Sequence, residues 1–283
     1  MIAQNAPLSI GKVVLTVHDL PGVSRFYEEV VGLHLITSLP DARQLGVGNA
    51  VLLELRADAQ ARRRSPREAG LFHTAFLLPT RGDLARWTAN AAEKRLSIQG
   101  ASDHLVSEAL YLADPEGNGV EIYADRPSSR WKMKNGLLDM PSDPLDIAGL
   151  LTMAGDKSWQ GFPEGSVVGH VHLQVGTIAP AEAFYGGVLG FDVTCRYPGG
   201  TFYGAGGYHH HVATNIWNSR GADVRSYPST GLADVEILAA DAAVFEAVKA
   251  RVEKAGTSAV AQAGSLSLRD PWATSITLAT KKA

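Results

Sequence analysis

The 283-residue sequence has a single cysteine, Cys195, so an intramolecular disulfide is excluded and a reducing compartment is expected. No apolar run approaches the length that crosses a bilayer, and the first residues lack the charged-then-apolar order of a signal peptide. A cytoplasmic protein with no membrane partner is the expectation. Excess positive charge is missing too. The formal net charge is −3, and the basic cluster ARRRSPR (Ala61–Arg67) lies between two strand-like segments, where a solvated loop explains it. A nucleic-acid surface built on net charge is therefore not expected. What is present is an ordinary globular composition, 45% hydrophobic and 19% charged, with 29 glycines that suit many tight strand connections. The length allows two domains, each with its own core.

The chain repeats itself. IGKVVLTVHDLPGVSRFYEEVVGLHLI from Ile10 matches VGHVHLQVGTIAPAEAFYGGVLGFDVT from Val168. Each reads as an alternating strand, a helix carrying a Phe-Tyr pair (Phe26-Tyr27 and Phe184-Tyr185), a glycine at the helix end, and a second strand. GLFHTAFLLPTRGDL from Gly70 matches GLADVEILAADAAVF from Gly231, and an Asp-Pro turn joins two strands in both YLADPEGNGVEIY and LSLRDPWATSITL. The fold expected is α+β, with four βαβββ units of about 55 residues each. Residues 8–60 and 70–125 form one domain, and residues 166–218 and 229–280 lie in a second spanning 166–283. Residues 126–165 have no partner in the repeat and read as a linker with one short helix near Leu145–Ala154.

The four units, the helix ends and DPEGNGVEIY resemble the vicinal oxygen chelate superfamily of glyoxalases, extradiol dioxygenases and bleomycin-resistance proteins. The strings DHLVSEALYLADPEGNGVEIYADRP and GYHHHVATNIW are similar to its two-domain bacterial catechol-2,3-dioxygenase-like branch. The resemblance covers nearly everything outside the linker. It implies two tandem domains whose units pair into two cupped mixed-sheet half-barrels, with a divalent metal inside a cup.

In that superfamily metal ligands stand on the first and last strands of a unit. The matching first-strand positions are Lys12, His73, His170 and Asp234, and the matching last-strand positions are Glu121 and Thr277. His73, Glu121 and His170 are the strong ligands of the set, two imidazoles and a carboxylate, which suits Fe(II) with open coordination positions; Mn(II) shares the preference. They come from the second and third units, so these units are expected to share one cup and the first and fourth the other. Pairing within each half is the rival arrangement, and it leaves His170 without good co-ligands. Lys12 beside Asp234, with Glu54 near, reads as a salt bridge in a cup that has become structural. His172 shares a face with His170 and is expected to line the cup.

YHHHVATNIW from Tyr208 reads as the last strand of the third unit. The resemblance puts a second-sphere catalytic histidine at His210. Strand alternation would set His209 and His211 on one face and His210 on the other, so either His210 or the flanking pair faces the metal. By the same resemblance Tyr111 donates a hydrogen bond to a substrate oxygen and His104 closes the pocket. Trp217, Tyr208, Phe202 and Tyr203 are candidate aromatic walls for a planar ring. The activity implied is extradiol cleavage of a small aromatic diol with O2 by a monomer or homodimer, with a histidine exchanging the diol's proton. A glyoxalase-like isomerase or lyase would want a further carboxylate near Ala213 or His211, and none is there. A non-enzymatic binding or resistance protein is the remaining alternative; such proteins lose the ligands. Fold alone does not choose among the three.

Overall fold

The computed structural model describes residues 2–281. After a short helix α1 (Ile2–Asn5), the first segment runs β1 (Leu8–Val17), α2 (Leu20–Phe26), β2 (His34–Ser38), β3 (Ala42–Val47) and β4 (Ala50–Ala57). The second runs β5 (Gly70–Leu77), α3 (Arg81–Glu93), β6 (Gly100–Asp103), β7 (Ser107–Ala113) and β8 (Gly119–Asp125). The connection holds β9 (Met133–Lys134), β10 (Leu137–Leu138), β11 (Asp143–Pro144) and α4 (Ile147–Leu151), the last within the stretch expected to be helical. The third segment is β12 (Val167–Gln174), α5 (Ile178–Ala181), β13 (Asp192–Tyr197), β14 (Gly200–Gly204) and β15 (Val212–Asn215). The fourth is β16 (Gly231–Ala239), α6 (Ala242–Lys254), β17 (Ala259–Gln262), β18 (Ser265–Arg269) and β19 (Ser275–Thr280). The architecture is mixed α+β, four βαβββ units in two curled sheets.

Helix starts follow from capping residues. Asp19, Thr80 and Asp241 each accept a hydrogen bond from a backbone N–H in the first turn of α2, α3 and α6. The two Phe-Tyr helices differ from the simple reading in one respect. Both run on as a π-helical turn, Tyr27–Val31 and Glu182–Val188, and Gly32 takes the left-handed conformation (φ 105°) that ends the first.

The tyrosine of each pair has a distant task. Tyr27 Oη donates to Asp114 and Tyr185 Oη donates to Asp270, and these aspartates are those of the two Asp-Pro turns. Asp114 also accepts the backbone N–H groups of Glu116 and Asn118, and Asp270 those of Trp272 and Thr274. Each buried carboxylate thus closes its own turn and ties one unit to the next in sequence, although the two units lie in different sheets. Burial raises both aspartates from the ordinary value of their carboxyl groups.

The sheets decide the unit pairing. One has the order β17-β18-β19-β16-β1-β4-β3-β2 and the other β11-β6-β7-β8-β5-β12-β15-β14-β13. First strands meet antiparallel at each centre, β1 with β16 and β5 with β12, and each lies parallel to the last strand of its own unit. The first unit therefore pairs with the fourth and the second with the third. Apolar faces of both sheets and the helices share one core that includes Trp87, Phe76, Leu15 and Ile237. No helix among the described residues is long and apolar enough to cross a membrane.

In the first-and-fourth sheet the expected Lys12–Asp234 bridge is not formed. Lys12 Nζ instead lies 2.6 Å from Glu54 Oε2, Arg56 sits 2.6 Å from Glu54 Oε1, and Asp234 accepts from Ser275 Oγ. β1 runs parallel to β4, which brings Lys12 beside Glu54, whereas β16 delivers Asp234 toward β19. Burial alone would raise the Glu54 carboxyl, but hydrogen bonds from Lys12 and Arg56 outweigh it and lower it to about 2. A carboxylate held below its ordinary 4.5 adds stability above that value and loses it as pH falls toward about 2. We expect the unfolding free-energy difference between the wild type and Glu54→Gln, measured in urea, to shrink between about pH 6 and about pH 3.

Candidate metal centre

β5, β8 and β12 are neighbours at the middle of the nine-stranded sheet, so inward positions on the three converge. His73 lies opposite His172 in the β5–β12 pairing, Glu121 pairs with Ala75 across β5–β8, and Ala75 in turn faces His170. His73 Nε2 is 2.9 Å and His170 Nε2 3.2 Å from the same oxygen, Glu121 Oε2. Ligand atoms of these three residues all lie within 4.8 Å of one another, and each residue is buried. Among the described residues this is the one group of three His, Cys, Asp or Glu side chains so placed.

The donor set fits a divalent cation. His73 Nε2 is buried and has no hydrogen-bond partner, despite its nearness to the carboxylate. A buried polar atom without a partner is costly, and a cation held by His73, Glu121 and His170 would satisfy it. Burial by itself would raise the Glu121 carboxyl, yet the imidazoles of His170 and His73 hold it well below the carboxylate range. Burial, against the pull of Glu121, lowers His170 to about 4. A charged Glu121 beside a neutral His170 is the protonation state that ligates metal.

A cavity of about 350 Å³ opens over this group. Phe72, Phe202 and Trp217 supply its aromatic walls, with Trp217 44% exposed at the rim. His172 lines the cavity, as expected; Asn215 Nδ2 holds its Nε2 at 2.9 Å, and its ring packs against Phe72 and Trp217. Tyr111 and His104 also line it. The Pro141 carbonyl, 2.6 Å from His104 Nδ1, can only accept, so His104 carries its hydrogen there. In the neutral ring His104 Nε2 then accepts the Tyr111 hydroxyl at 2.7 Å. In that tautomer Tyr111 donates its hydrogen bond to His104 and presents a lone pair to the cavity. Burial, with Glu121 beside it, keeps the phenol well above its ordinary value and therefore protonated.

Of the histidine triplet His210 alone lines the cavity, one of the two outcomes alternation allowed, but the three do not lie on a strand. β15 begins only at Val212, so His209, His210 and His211 occupy the turn before it, after Gly206 and Gly207 in the left-handed region (φ 60° and 77°). Each ring is then free to point its own way. His210 faces the cavity with its ring centroid 4.0 Å from that of His170, and burial lowers its pKa. His211 turns away, donating from Nε2 to the Ala3 carbonyl and accepting from the Ala205 N–H. His209 is buried behind His210.

Two expected wall residues lie elsewhere. Tyr208 is fully buried outside the cavity, its hydroxyl on Asp125 and near that of Tyr123. Tyr203 packs against Tyr185 and shares a hydrogen bond with Thr214. Among the cavity residues that were not anticipated are Phe72, Met140, Ser142 and Tyr197. The β5–β12 register shifts at Phe72, and this bulge lets successive residues Phe72 and His73 both face inward, against the alternation rule. Met140 and Ser142 come from the connection, where β11 pairs with the sheet edge at β6.

Residues 9–122 and 167–265 match the model of the glyoxalase/bleomycin resistance protein/dioxygenase superfamily, and the chain belongs to that family. It is similar to catechol-2,3-dioxygenase of Bacillus subtilis (strain 168), 39% identical over 267 residues that cover 93% of each protein. Among solved structures it resembles a candidate dioxygenase from Bacillus subtilis (TM-score 0.67, 14% identity, covering 97% of this chain and 85% of that one). Glyoxalase I from Zea mays is also similar (TM-score 0.59, 17% identity, covering 98% and 94%). At those identities the structural likeness speaks for the fold.

Proposed function

We propose that the protein is a metal-dependent extradiol dioxygenase that opens a catechol-type aromatic ring beside its diol with O2. The observation that carries this reading is the convergence of His73, Glu121 and His170 in an aromatic-walled cavity that also holds a further imidazole, His210. The similarity to a catechol-2,3-dioxygenase supports it. Within it, residues 8–125 and 166–283 are two domains joined by 126–165.

His73, Glu121 and His170 would hold Fe(II), with Mn(II) sharing the ligand preference. When bound, the ion supplies Lewis acidity toward the diol oxygens and a route for electrons to O2. The remaining tasks fall to the chain. Phe72, Phe202 and Trp217 hold the ring plane and keep water from it. His210 takes a proton at Nε2 from a diol hydroxyl and returns one as the ring opens. Tyr111 Oη, its own hydrogen on His104, accepts a hydrogen bond from the second diol hydroxyl and so orients the pair.

An isomerase of glyoxalase type would want a second carboxylate, and Glu121 is the one carboxylate among the described residues that line the cavity. The test is metal content of anaerobically purified protein, followed by catechol addition and oxygen uptake under air. Near-stoichiometric iron or manganese with oxygen consumption and a yellow product is expected. Metal without oxygen uptake on any aromatic diol tried would overturn the dioxygenase reading in favour of the isomerase class. Failure to bind metal would leave a binding protein.

A further inference from the structure

We infer that His209 and Asp125 are positioning residues that fix His210 in the tautomer with hydrogen on Nδ1 and a bare Nε2 toward the cavity. The inference deepens the reading of His210 as proton acceptor and rests on that reading only for its effect on turnover. Asp125 ends β8, and its Oδ1 lies 2.9 Å from His209 Nε2. On the other side of the ring, His209 Nδ1 is 2.7 Å from His210 Nδ1.

Hydrogen-bond logic then runs in one direction. A carboxylate only accepts, so His209 carries its hydrogen on Nε2 and, in the neutral ring, presents a bare Nδ1. The contact between the two Nδ1 atoms needs one hydrogen, and His210 must provide it. Its Nε2 is left without hydrogen. The Tyr208 hydroxyl donates to the same Asp125 oxygen at 3.1 Å, with the Tyr123 hydroxyl 2.8 Å behind it, so two donors hold Asp125 as the end acceptor of the chain.

Packing keeps the line in place. His209 is fully buried, 4.1 Å from the Tyr208 ring and 5.2 Å from that of Trp131, which the connection lays over it. The His210 ring is held between His170, at 4.0 Å, and Phe202, at 5.0 Å. A bare ring nitrogen aimed at the diol is what a general base requires before it acts. Two neighbouring histidines are thereby put to different uses, one facing substrate and one setting the state of the other.

The tautomer can be read directly from long-range proton–nitrogen correlation spectra of the full-length, metal-free protein with 15N-labelled histidine. His210 is expected to show a protonated Nδ1 and a bare Nε2. In His209→Phe, which keeps the ring and removes the acceptor, His210 should populate the Nε2-protonated form. In His209→Asn, whose Oδ1 comes near the place of the lost Nδ1, the wild-type tautomer should return. With iron and catechol, kcat of His209→Phe should fall about 100-fold with KM within about threefold, and His209→Asn should recover most of it. A wild-type His210 protonated on Nε2 overturns the inference, and so does an unchanged tautomer in both His209→Phe and Asp125→Ala. If the wild type shows the stated tautomer but does not cleave catechol, the positioning role stands and the dioxygenase reading falls. The wild-type spectrum decides even where a variant does not fold.

Discussion

Replacing His73 with Ala is expected to take metal content from near one equivalent to background and to lower ring-cleaving turnover by at least about 10³-fold. The size follows from the several kcal/mol of charge stabilisation that a catalytic ion contributes, at 1.36 kcal/mol for each factor of ten. Within the proposed site the geometry offers no substitute for His73. His73 Nε2 and His170 Nε2 flank one oxygen of Glu121, and no further His, Cys, Asp or Glu among the described residues joins the group. His172→Asn is the matched control, because His172 lies opposite His73 in the strand pairing but turns its Nε2 to Asn215. It should keep its metal, as measured by elemental analysis on the same preparations. Loss of metal in the control as well would assign His172 to the ligand set. Full metal and turnover in His73→Ala would remove the triad from the chemistry.

The convergence of His73, Glu121 and His170 was legible in the sequence because two regularities overlap there. The internal repeat marks equivalent slots on first and last strands, and inward positions on three adjacent strands must meet when the first strands pair at the centre of a sheet. His73, Glu121 and His170 stand out because Lys12, Asp234 and Thr277 fill the corresponding slots elsewhere. The Asp-Pro turns were legible for a similar reason, although the tyrosines that reach them from the preceding units were visible only as a recurring pair.

What stayed hidden sits where periodicity breaks. Phe72 enters the cavity through a bulge, which one sequence does not announce. The histidine triplet was read as strand because an apolar run follows it, whereas the left-handed glycines before it and the late start of β15 make it a turn. Tyr208 was misplaced by the same assumption, and its hydroxyl serves Asp125 instead of a substrate. Residues of the connection, Met140 and Ser142 with the Pro141 carbonyl, have no repeat partner and no alternation, so nothing local marked them as part of the site.

Changing His210 to Asn separates acid–base chemistry from metal binding. The expected result is unchanged metal content with kcat lower by about 10²- to 10⁴-fold, the range that a positioned general acid–base group contributes. His210 is outside the His73–Glu121–His170 group yet stacked on His170, so that group survives its loss. Asparagine suits the test because its amide can still meet His209 Nδ1 through an N–H, which preserves the turn, while it offers no basic nitrogen toward the cavity. KM for catechol should change little, since Phe72, Phe202, Trp217 and Tyr111 still line the cavity. The split between kcat and KM is informative: an unchanged kcat with raised KM would make His210 a binding residue only. Wild-type kcat and KM together would move the proton transfer to His172 or to the Tyr111–His104 pair, the other cavity groups placed to carry it.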